Sequence, residues 1–335
     1  MDQHDATVRD VAREAGVSVA TASRVLSGSG YPVRASVRAR VLEVAQRMSY
    51  SANSYARVLS TQQSRLVGLM VPSISEPFFS EIARGAERFL SARGYLIVLC
   101  DTDREPETEH RYLNELRGLR SGAILVAHTA YGQELLDAIA IHPAPVVVIG
   151  RDLPCASVQL DNRGAAAVAT SHLIDLGHRR IAFVGGAPTS LAAVDRLAGF
   201  KLTMSQRGIP VDEALIMEGD FSLESAALAM RSLLAGSPPD AVLAANDVIA
   251  IGVIHEAVEQ GLSVPRGISV VGINDTPIAA FMNPALTTVS LPMRKAGEAA
   301  AELLLQQMET QTRSDVVVSL AGELVVRGST LSKGH

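Results

Sequence analysis

From residue 65 onward, short apolar runs alternate with amphipathic segments, and this alternation constrains the fold more than any other feature. The runs "RLVGLMVP", "YLIVLC", "GAILVA" and "PVVVIG" are rich in Val and Ile, whereas the segments between them have helical spacing of apolar residues. Such runs are typical of parallel sheets that helices cover on both faces. A second series begins near Ser157, so the sequence predicts an α/β fold with two doubly wound parallel-sheet subdomains.

Two other segments precede this alternation. The first contains three short stretches with helical apolar spacing, and the second is polar without a long apolar face.

The run "LTTVSLP" is expected to be a crossover, and the closing runs "DVVVSL" and "ELVVR" are expected to return to one sheet each. The predicted boundaries are 1–50 for a three-helix domain, 51–64 for a linker, 65–335 for the α/β body, about 65–156 and 292–320 for its first subdomain, and about 157–291 and 321–335 for its second.

Charge is distributed unevenly along the chain. Residues 1–65 contain nine Arg and five acidic residues, whereas the whole chain of 335 residues has a net charge of −5. A basic segment on an acidic body favours contact with a polyanion. Chance variation in a short segment would produce the same pattern.

Composition also bears on the cellular compartment. No apolar run approaches the roughly 18 residues that a membrane span requires, and the first 30 residues lack the apolar core of a secretory signal. Cys100 and Cys155 are too few for a disulfide framework and lie in strand-like surroundings, which favours buried thiols. We therefore expect a cytoplasmic protein without membrane association.

The stretch "TVRDVAREAGVSVATASRVLSG" predicts two short helices joined by a tight turn. Thr7 is placed to cap the first helix, Gly16 to end it, and Ser18 to cap a second helix from Val19 to about Leu26. Two helices in this arrangement form a helix-turn-helix, whose second helix enters the DNA major groove. An ordinary helical hairpin with a solvated Arg24 is the alternative interpretation.

The second helix carries side chains suited to reading DNA. Arg24 is able to bond guanine O6 and N7 in bidentate fashion, whereas Val19 and Ala20 are suited to a thymine methyl group. Hydroxyl side chains bond phosphates and position the protein. The candidates for base edges are Val19, Ala20, Thr21, Ser23 and Arg24, and those for phosphates are Thr7, Ser18, Thr21, Ser23 and Ser27.

The stretch "TVRDVAREAGVSVATASRVLSG" closely resembles the DNA-binding head of the lac repressor (LacI/GalR) family of bacterial regulators. The resemblance continues, in the family's order, over nearly the whole chain. The segments that carry it include "SYSANSYARVLS", "VGLMVPSISEPFF", "LGHRRIAFVGG", "DRLAGF", "GDFSLESA", "AANDVIAIG", "ISVVGIND", "PALTTVSLP" and "ELVVRGST".

The resemblance implies a homodimer on a pseudo-palindromic double-stranded operator, with the linker as a hinge helix. Leu59 is then the wedge that opens a base step in the minor groove; packing against the partner subunit is the alternative. Asn53 is expected to cap the hinge helix and Arg57 to face phosphate. Arg34 stands where the family often has a capping Ser or Thr, and an extra phosphate contact is expected there.

The body resembles sugar-binding proteins of the bacterial periplasm, which hold a ligand between two subdomains. Aromatic faces stack on such ligands, and Arg or Asn fixes their oxygens. Structural alternatives remain open: the two Phe of "PFF" as core or interface residues, Arg196 as a partner of Asp195, and Asn246 as a helix cap. The implied effector-binding positions are Phe78, Phe79, Arg196, Phe221, Asn246 and Asn274.

Two departures from the family concern charge. Many members carry Asp where this chain has Asn274, and another cleft position that is often acidic is Gly150 here. Without these carboxylates, Arg196 makes the cleft more positive. We expect an effector with negative charge, such as a sugar acid or a phosphorylated sugar, although loss of effector binding is the alternative.

The family implies a transcriptional regulator, most often a repressor, in which the effector shifts the dimer between two arrangements. A transport-type binding protein shares only the body. An α/β enzyme is disfavoured, because a G-x-x-x-x-G-K loop, a G-x-S-x-G elbow and metal-spaced His/Cys clusters are lacking, and "FVGGAPTS" lacks dinucleotide spacing. We therefore predict no catalytic residue, cofactor or metal, and a dimer, since no Leu heptads follow "VVRGST".

Overall fold

Two units make up the chain, Met1–Ser64 and Arg65–His335. The computed structural model describes residues 6–26, 31–48, 64–126, 133–150, 155–236 and 238–334. The predicted DNA contacts at Ser27, Asn53, Arg57 and Leu59 lie outside these residues, as does the linker up to residue 63.

The described residues of the first unit form three helices around a small apolar core. They are α1 (Val8–Glu14), α2 (Val19–Leu26) and α3 (Ala35–Arg47). Helical spacing brings one apolar face of each helix inward. The fully or nearly buried side chains of this core are Val11, Ala12, Ala15, Ala22, Val25, Val41, Val44 and Ala45.

Local chemistry explains where these helices begin and end. Thr7 forms a capping box with Asp10, in which each side chain bonds the other residue's backbone N–H. Gly16 takes a φ of +62°, which a residue with a Cβ rarely adopts. Ser18 Oγ then accepts a bond of 3.1 Å from the Thr21 N–H at the start of α2. Both predicted caps are therefore confirmed, and the two helices form a helix-turn-helix.

The first subdomain of the second unit is a six-stranded sheet in the order β11-β5-β4-β3-β1-β2, with parallel pairing throughout. Its strands are β1 (Leu66–Val71), β2 (Leu96–Asp101), β3 (Gly122–Val126), β4 (Val146–Ile149), β5 (Ser157–Leu160) and β11 (Val317–Leu320). The helices beside them in the chain are α4 (Pro77–Ser91), α5 (Pro106–Gly118), α6 (Gln133–Ala140) and α11 (Met293–Thr310).

The second subdomain is a six-stranded sheet in the order β12-β10-β9-β8-β6-β7, in which only β12 is antiparallel to its neighbour. Its strands are β6 (Ile181–Val184), β7 (Ile216–Met217), β8 (Ala241–Ala244), β9 (Ser269–Asn274), β10 (Thr287–Ser290) and β12 (Glu323–Val325). Its helices are α7 (Asn162–Asp175), α8 (Leu191–Gln206), α9 (Leu223–Ala235) and α10 (Asp247–Glu259), with 3₁₀ turns at Glu213–Leu215 and Pro277–Phe281.

One predicted boundary is wrong. The run at Ser157 was expected to open the second subdomain, whereas β5 pairs with β4 and β11 in the first sheet. Composition does not say which sheet receives a buried strand. The crossover helix α7 follows β5, so the chain leaves the first sheet at Asp161 rather than near residue 157.

The chain crosses between the two sheets three times within the described part of the second unit. The crossings follow β5, β10 and β11. The central strands of both sheets are buried and rich in Val, Ile and Leu. This pattern is expected when helices cover both faces of a sheet. None of the described helices combines the length and apolarity that crossing a membrane requires.

Candidate functional site

A cavity of about 480 Å³ lies between the two subdomains, at the carboxyl ends of the strands. In doubly wound sheets this edge is where ligands bind, because loops and helix N-termini gather there. The cavity is large enough for a sugar-sized molecule. All six predicted effector-binding residues line it: Phe78, Phe79, Arg196, Phe221, Asn246 and Asn274.

Several helices of the second unit start at this cavity. Backbone N–H groups at a helix N-terminus carry partial positive charge and attract anions. The first residues or N-caps of five helices line the cavity or lie next to the residues that line it. The helices are α4 with cap Glu76, α7 with cap Asp161, α8 with cap Ser190, α9 with cap Ser222 and α10 with cap Asn246.

Arg196 is the buried cation of the cavity, with 2% of its surface exposed. Its Nε donates to Asn162 Oδ1 at 2.9 Å, its Nη2 to Asn274 Oδ1 at 3.0 Å, and its Nη1 to the Ala245 carbonyl. These contacts use three of the five guanidinium N–H groups, and all three acceptors are uncharged. The carboxylate of Asp195, the alternative partner considered for Arg196, lies 3.2 Å from Arg163 Nε.

Burial lowers the pKa of Arg196 to about 10, while the charge of Asp247 opposes the shift. The guanidinium is therefore protonated at neutral pH. Asp247 is fully buried, and its oxygens accept from Thr288 Oγ1 at 2.6 Å and from the backbone and side chain of Thr276. Burial raises the pKa of Asp247, and these hydrogen bonds oppose that shift.

Asn246 and Asn274 are both held in place by the backbone around them. Asn246 Oδ1 accepts from the Ile249 N–H at 2.8 Å, so this residue caps α10 as well as lining the cavity. Asn274 has a φ of +123°, an unusual conformation for a residue with a Cβ. Strained backbone of this kind persists where the surrounding structure fixes it.

Phe78 and Phe79 lie in the first turn of α4 and contribute aromatic surface to the cavity. Their ring centroids are 5.1 Å apart in an edge-to-face arrangement. Phe79 is 7% exposed and belongs to the main core, whereas Phe78 is half-buried. The two interpretations of this pair therefore apply to different residues: Phe79 packs in the core as well as lining the cavity, and Phe78 presents more of its ring.

The ring of Phe221 packs against a glycine that is distant in the sequence. A Cβ built on Gly186, in "FVGGAPTS", would lie 2.1 Å from Phe221 Cζ, so the ring lies flat against this glycine. Phe221 itself has a φ of +69°. Gly186 is thus a residue of the site that sequence reasoning missed, because the contact joins residues far apart in the chain.

Two ion pairs are part of the cavity lining. Arg104 pairs with Glu76 in the first subdomain, and Arg163 pairs with Asp195 in the second. Burial lowers the pKa of Arg104, and the charge of Asp220 opposes this. With these pairs balanced, Arg196 accounts for the excess positive charge among the described residues of the lining.

Gly150, at the end of β4, also lines the cavity. Its φ of +143° is readily adopted by glycine and rarely by other residues. The absence of a side chain here is therefore part of the local backbone geometry. An acidic residue at this position would require a different backbone.

In the first unit, α2 presents one face to solvent. Ala22 and Val25 are buried, whereas Ser18, Val19, Ala20, Ser23 and Arg24 are exposed and Thr21 is half-buried. Thr7 is exposed while capping α1. Arg34 is exposed and stands at the N-cap of α3 without a side-chain capping bond.

Within the described ranges, no group of three or more His, Cys, Asp or Glu residues is arranged to hold a metal ion. His172 and His178 instead contact the C-terminal segment. His172 Nε2 lies 3.1 Å from Thr330 Oγ1, and His178 Nε2 lies 3.1 Å from the Leu331 carbonyl.

Comparison with known proteins matches both units. A model described as bacterial regulatory proteins, lacI family, matches residues 7–53, and a periplasmic binding protein-like domain matches residues 170–330. Catabolite control protein A of Priestia megaterium is 34% identical over 331 residues, which cover 97% of this chain and 99% of that protein.

Solved structures agree with this assignment. The lac repressor dimer bound to operator and the anti-inducer ONPF has a TM-score of 0.89 at 29% identity, covering 98% of this chain and 100% of that one. The complex of transcriptional regulator CelR with cellobiose has a TM-score of 0.74 at 32% identity, covering 97% and 99%. These relatives are transcriptional regulators and not enzymes. The chain belongs to the lacI family of bacterial regulatory proteins and is a DNA-binding transcriptional regulator.

Proposed function

We propose that this chain is a homodimeric repressor of a pseudo-palindromic operator and that a small anionic effector in the cavity sets its operator affinity. The observation that carries the effector class is Arg196, a protonated guanidinium buried in the lining and bonded to uncharged acceptors. The exposed face of α2 supports the DNA-binding part.

The proposed DNA contacts divide by chemistry. Arg24 reads a guanine, and Val19 and Ala20 contact thymine methyl groups. The hydroxyl residues and Arg34 contact the backbone, which sets register without reading sequence. Leu59, with Asn53 and Arg57 beside it in the linker, supplies the minor-groove wedge. The residues proposed for phosphate contact are Thr7, Ser18, Thr21, Ser23, Ser27 and Arg34.

The edge of the first sheet supports a dimer. Strand β2 is an edge strand, and Leu96, Val98 and Leu99 on it are 66%, 39% and 48% exposed. An exposed apolar edge strand in a soluble chain is a liability unless another surface covers it. A second copy of the chain covers it in this proposal, as expected for a protein similar to a repressor crystallised as a dimer.

The effector is proposed to be a sugar acid or a phosphorylated sugar. The aromatic rings of Phe78 and Phe221 suit the apolar face of a sugar ring. The two remaining N–H groups of Arg196 and the helix N-termini suit a carboxylate or phosphate. The relative bound to cellobiose supports the sugar part, and the excess positive charge of this lining supports the anionic part.

Coupling to DNA is proposed to run through the subdomains. An effector that contacts both walls favours one relative arrangement, which changes the separation of the two linkers in the dimer. The change in operator affinity can be no larger than the difference in the effector's affinity for the two arrangements. Measuring operator affinity with and without effector therefore gives both the size and the sign of the regulation.

The DNA-binding part is tested by selecting retained fragments from random duplex DNA with the full chain at low salt. We expect a pseudo-palindromic consensus, and Arg24→Ala should lose about 1–3 kcal/mol of discrimination at one guanine in each half-site. Arg266→Ala, an exposed arginine of the second unit, is the control. A chain that retains no duplex fragment, with or without small molecules, would contradict the proposal.

The effector part is tested by calorimetry with three matched ligands: a neutral sugar, its sugar acid and its phosphate ester. We expect heat of binding from at least one anionic member, with affinity that falls as salt rises. Binding of the neutral sugar alone would contradict the proposed effector class while leaving the DNA-binding part intact.

A further inference from the structure

Tyr31 lies beside the helix that the proposed function assigns to base recognition. The Cζ atom of Arg24 is 4.2 Å from the centroid of the Tyr31 ring, which is cation–π distance. The ring is 57% exposed, so the pair lies at the surface and not in the core. We propose that Tyr31 is a positioning residue, which holds Arg24 in the orientation that reads guanine; this inference rests on the proposed DNA-binding function.

The backbone on the C-terminal side of Tyr31 fixes where its ring lies. Pro32 follows directly, and a residue before proline is restricted to extended conformations. Val33 then packs against the small core of the first unit. The ring is therefore tethered to the core by two residues of restricted chain, which gives it a defined position beside α2.

The geometry of a guanidinium makes the two contacts of Arg24 compatible. An aromatic ring stacks on the planar face of the group, whereas the N–H donors lie along its edge. A bidentate contact to guanine O6 and N7 uses that edge. Tyr31 thus occupies the face of Arg24 that guanine recognition does not need.

The benefit of such a stack is pre-organisation. Arg24 is exposed, and a long side chain in solvent samples many rotamers that must be given up when it binds a base. A ring that already restricts these rotamers lowers the cost of ordering on DNA. It also fixes the direction of the N–H fork, so the ring contributes to discrimination at the guanine and not only to affinity.

The experiment uses full-length chain and the duplex that the wild type retains in the selection, with each guanine of a half-site replaced in turn. The position whose discrimination disappears in Arg24→Ala identifies the guanine. We expect Tyr31→Leu to reduce discrimination at that position by about two- to fivefold, the strength of an exposed cation–π pair. Tyr31→Phe should retain it, because the ring remains and only the hydroxyl is lost.

A double-mutant cycle separates positioning from a general structural effect. In the Arg24→Ala background, Tyr31→Leu should change nothing further at that guanine. The salt dependence of binding should be unchanged, since no charge is removed. Tyr112→Leu is the matched control, because Tyr112 is a tyrosine with an arginine, Arg111, 5.2 Å from its ring in the second unit.

Two outcomes would overturn the inference. The first is a Tyr31→Leu chain that keeps wild-type discrimination at the guanine. The second is a loss that is equal for all duplexes, which indicates a backbone contact by the tyrosine hydroxyl or an altered fold. Thermal melting of each variant detects the altered fold. Failure of the proposed function is distinguishable, because it appears as absence of wild-type binding.

Discussion

The two walls of the cavity are built in different ways. On the second subdomain, Arg196, Asn246 and Asn274 are at most 5% exposed and are held by bonds to one another or to the backbone. On the first subdomain, the lining includes the partly exposed pair of Glu76 with Arg104, and most of its other side chains are apolar: Phe78, Phe79, Val126, Ile149 and Leu160.

This difference indicates a division of labour. Polar groups that are already oriented bind without reorganisation and therefore discriminate between ligands. Apolar surface is non-directional and tolerates a change of ligand position. In the proposed function, the second subdomain therefore selects the effector, and the first subdomain supplies apolar surface that tolerates its position. Four predictions test this comparison.

The largest effect is expected within the first wall itself. Phe79→Ala should lower the free energy of unfolding by about 3 kcal/mol or more, because a buried ring of the core is lost. Phe78→Ala, its neighbour, should cost much less stability and instead weaken effector binding. Urea unfolding and calorimetry on the two variants check this. Equal losses of stability would contradict the different roles assigned to the two rings.

The second prediction concerns the selective wall. Arg196→Met should weaken binding of an anionic effector by about 1.5–3 kcal/mol, roughly 10- to 150-fold, because the charged donor is removed. Arg196→Lys keeps the charge but not the planar fork of donors, so its effector affinity should lie between those of the wild type and Arg196→Met. Calorimetry measures both. Arg207→Met, just after the same helix, is the control, and the comparison fails if it weakens binding as much as Arg196→Met.

A smaller effect is expected from Gly186→Ala. The new methyl group overlaps the Phe221 ring, and overpacking of this kind costs about 1–3 kcal/mol. The expected result is lower stability and weaker effector binding, and the loss of stability should be partly restored when Phe221→Leu is added. Gly118→Ala provides the control, since no atom lies within 4 Å of its added Cβ. If the Gly186→Ala chain has an unchanged melting temperature and effector affinity, the Phe221 ring adopts another position without cost.

The smallest effect is expected from Glu76→Gln. Its pair with Arg104 is partly exposed, with 39% of the Arg104 side chain in solvent, so its loss should change stability by less than about 1 kcal/mol. Affinity for an anionic effector should rise by about two- to threefold at low salt and return to the wild-type value at high salt, where screening removes the difference. A fall in affinity would assign Glu76 to the selective side of the cavity.

Some of this arrangement was predictable from the sequence. The alternation of apolar runs predicted the α/β subdomains, and strand ends are where a doubly wound sheet binds ligands. The two helix caps at Thr7 and Ser18 were also predictable, because capping depends only on residues three positions apart.

The remainder depends on contacts between distant parts of the chain. Strand β5 was assigned to the wrong sheet because local composition does not encode its neighbours. Arg196 was singled out, whereas its partners Asn162 and Ala245 were not, since they come from other loops. Gly186 and Tyr31 were not predicted for the same reason. Gly186 contacts the Phe221 ring and Tyr31 contacts the Arg24 guanidinium only in the folded chain.

The order in which the strands appear in the chain has a consequence for synthesis. Each sheet takes an edge strand from the segment between residues 317 and 325, which is synthesised after every other described strand of the two sheets. The three described helices of the first unit precede both sheets in the chain. A nascent chain released before residue 317 therefore carries those helices attached to two incomplete sheets, each with an open edge at which strands of other chains are able to pair.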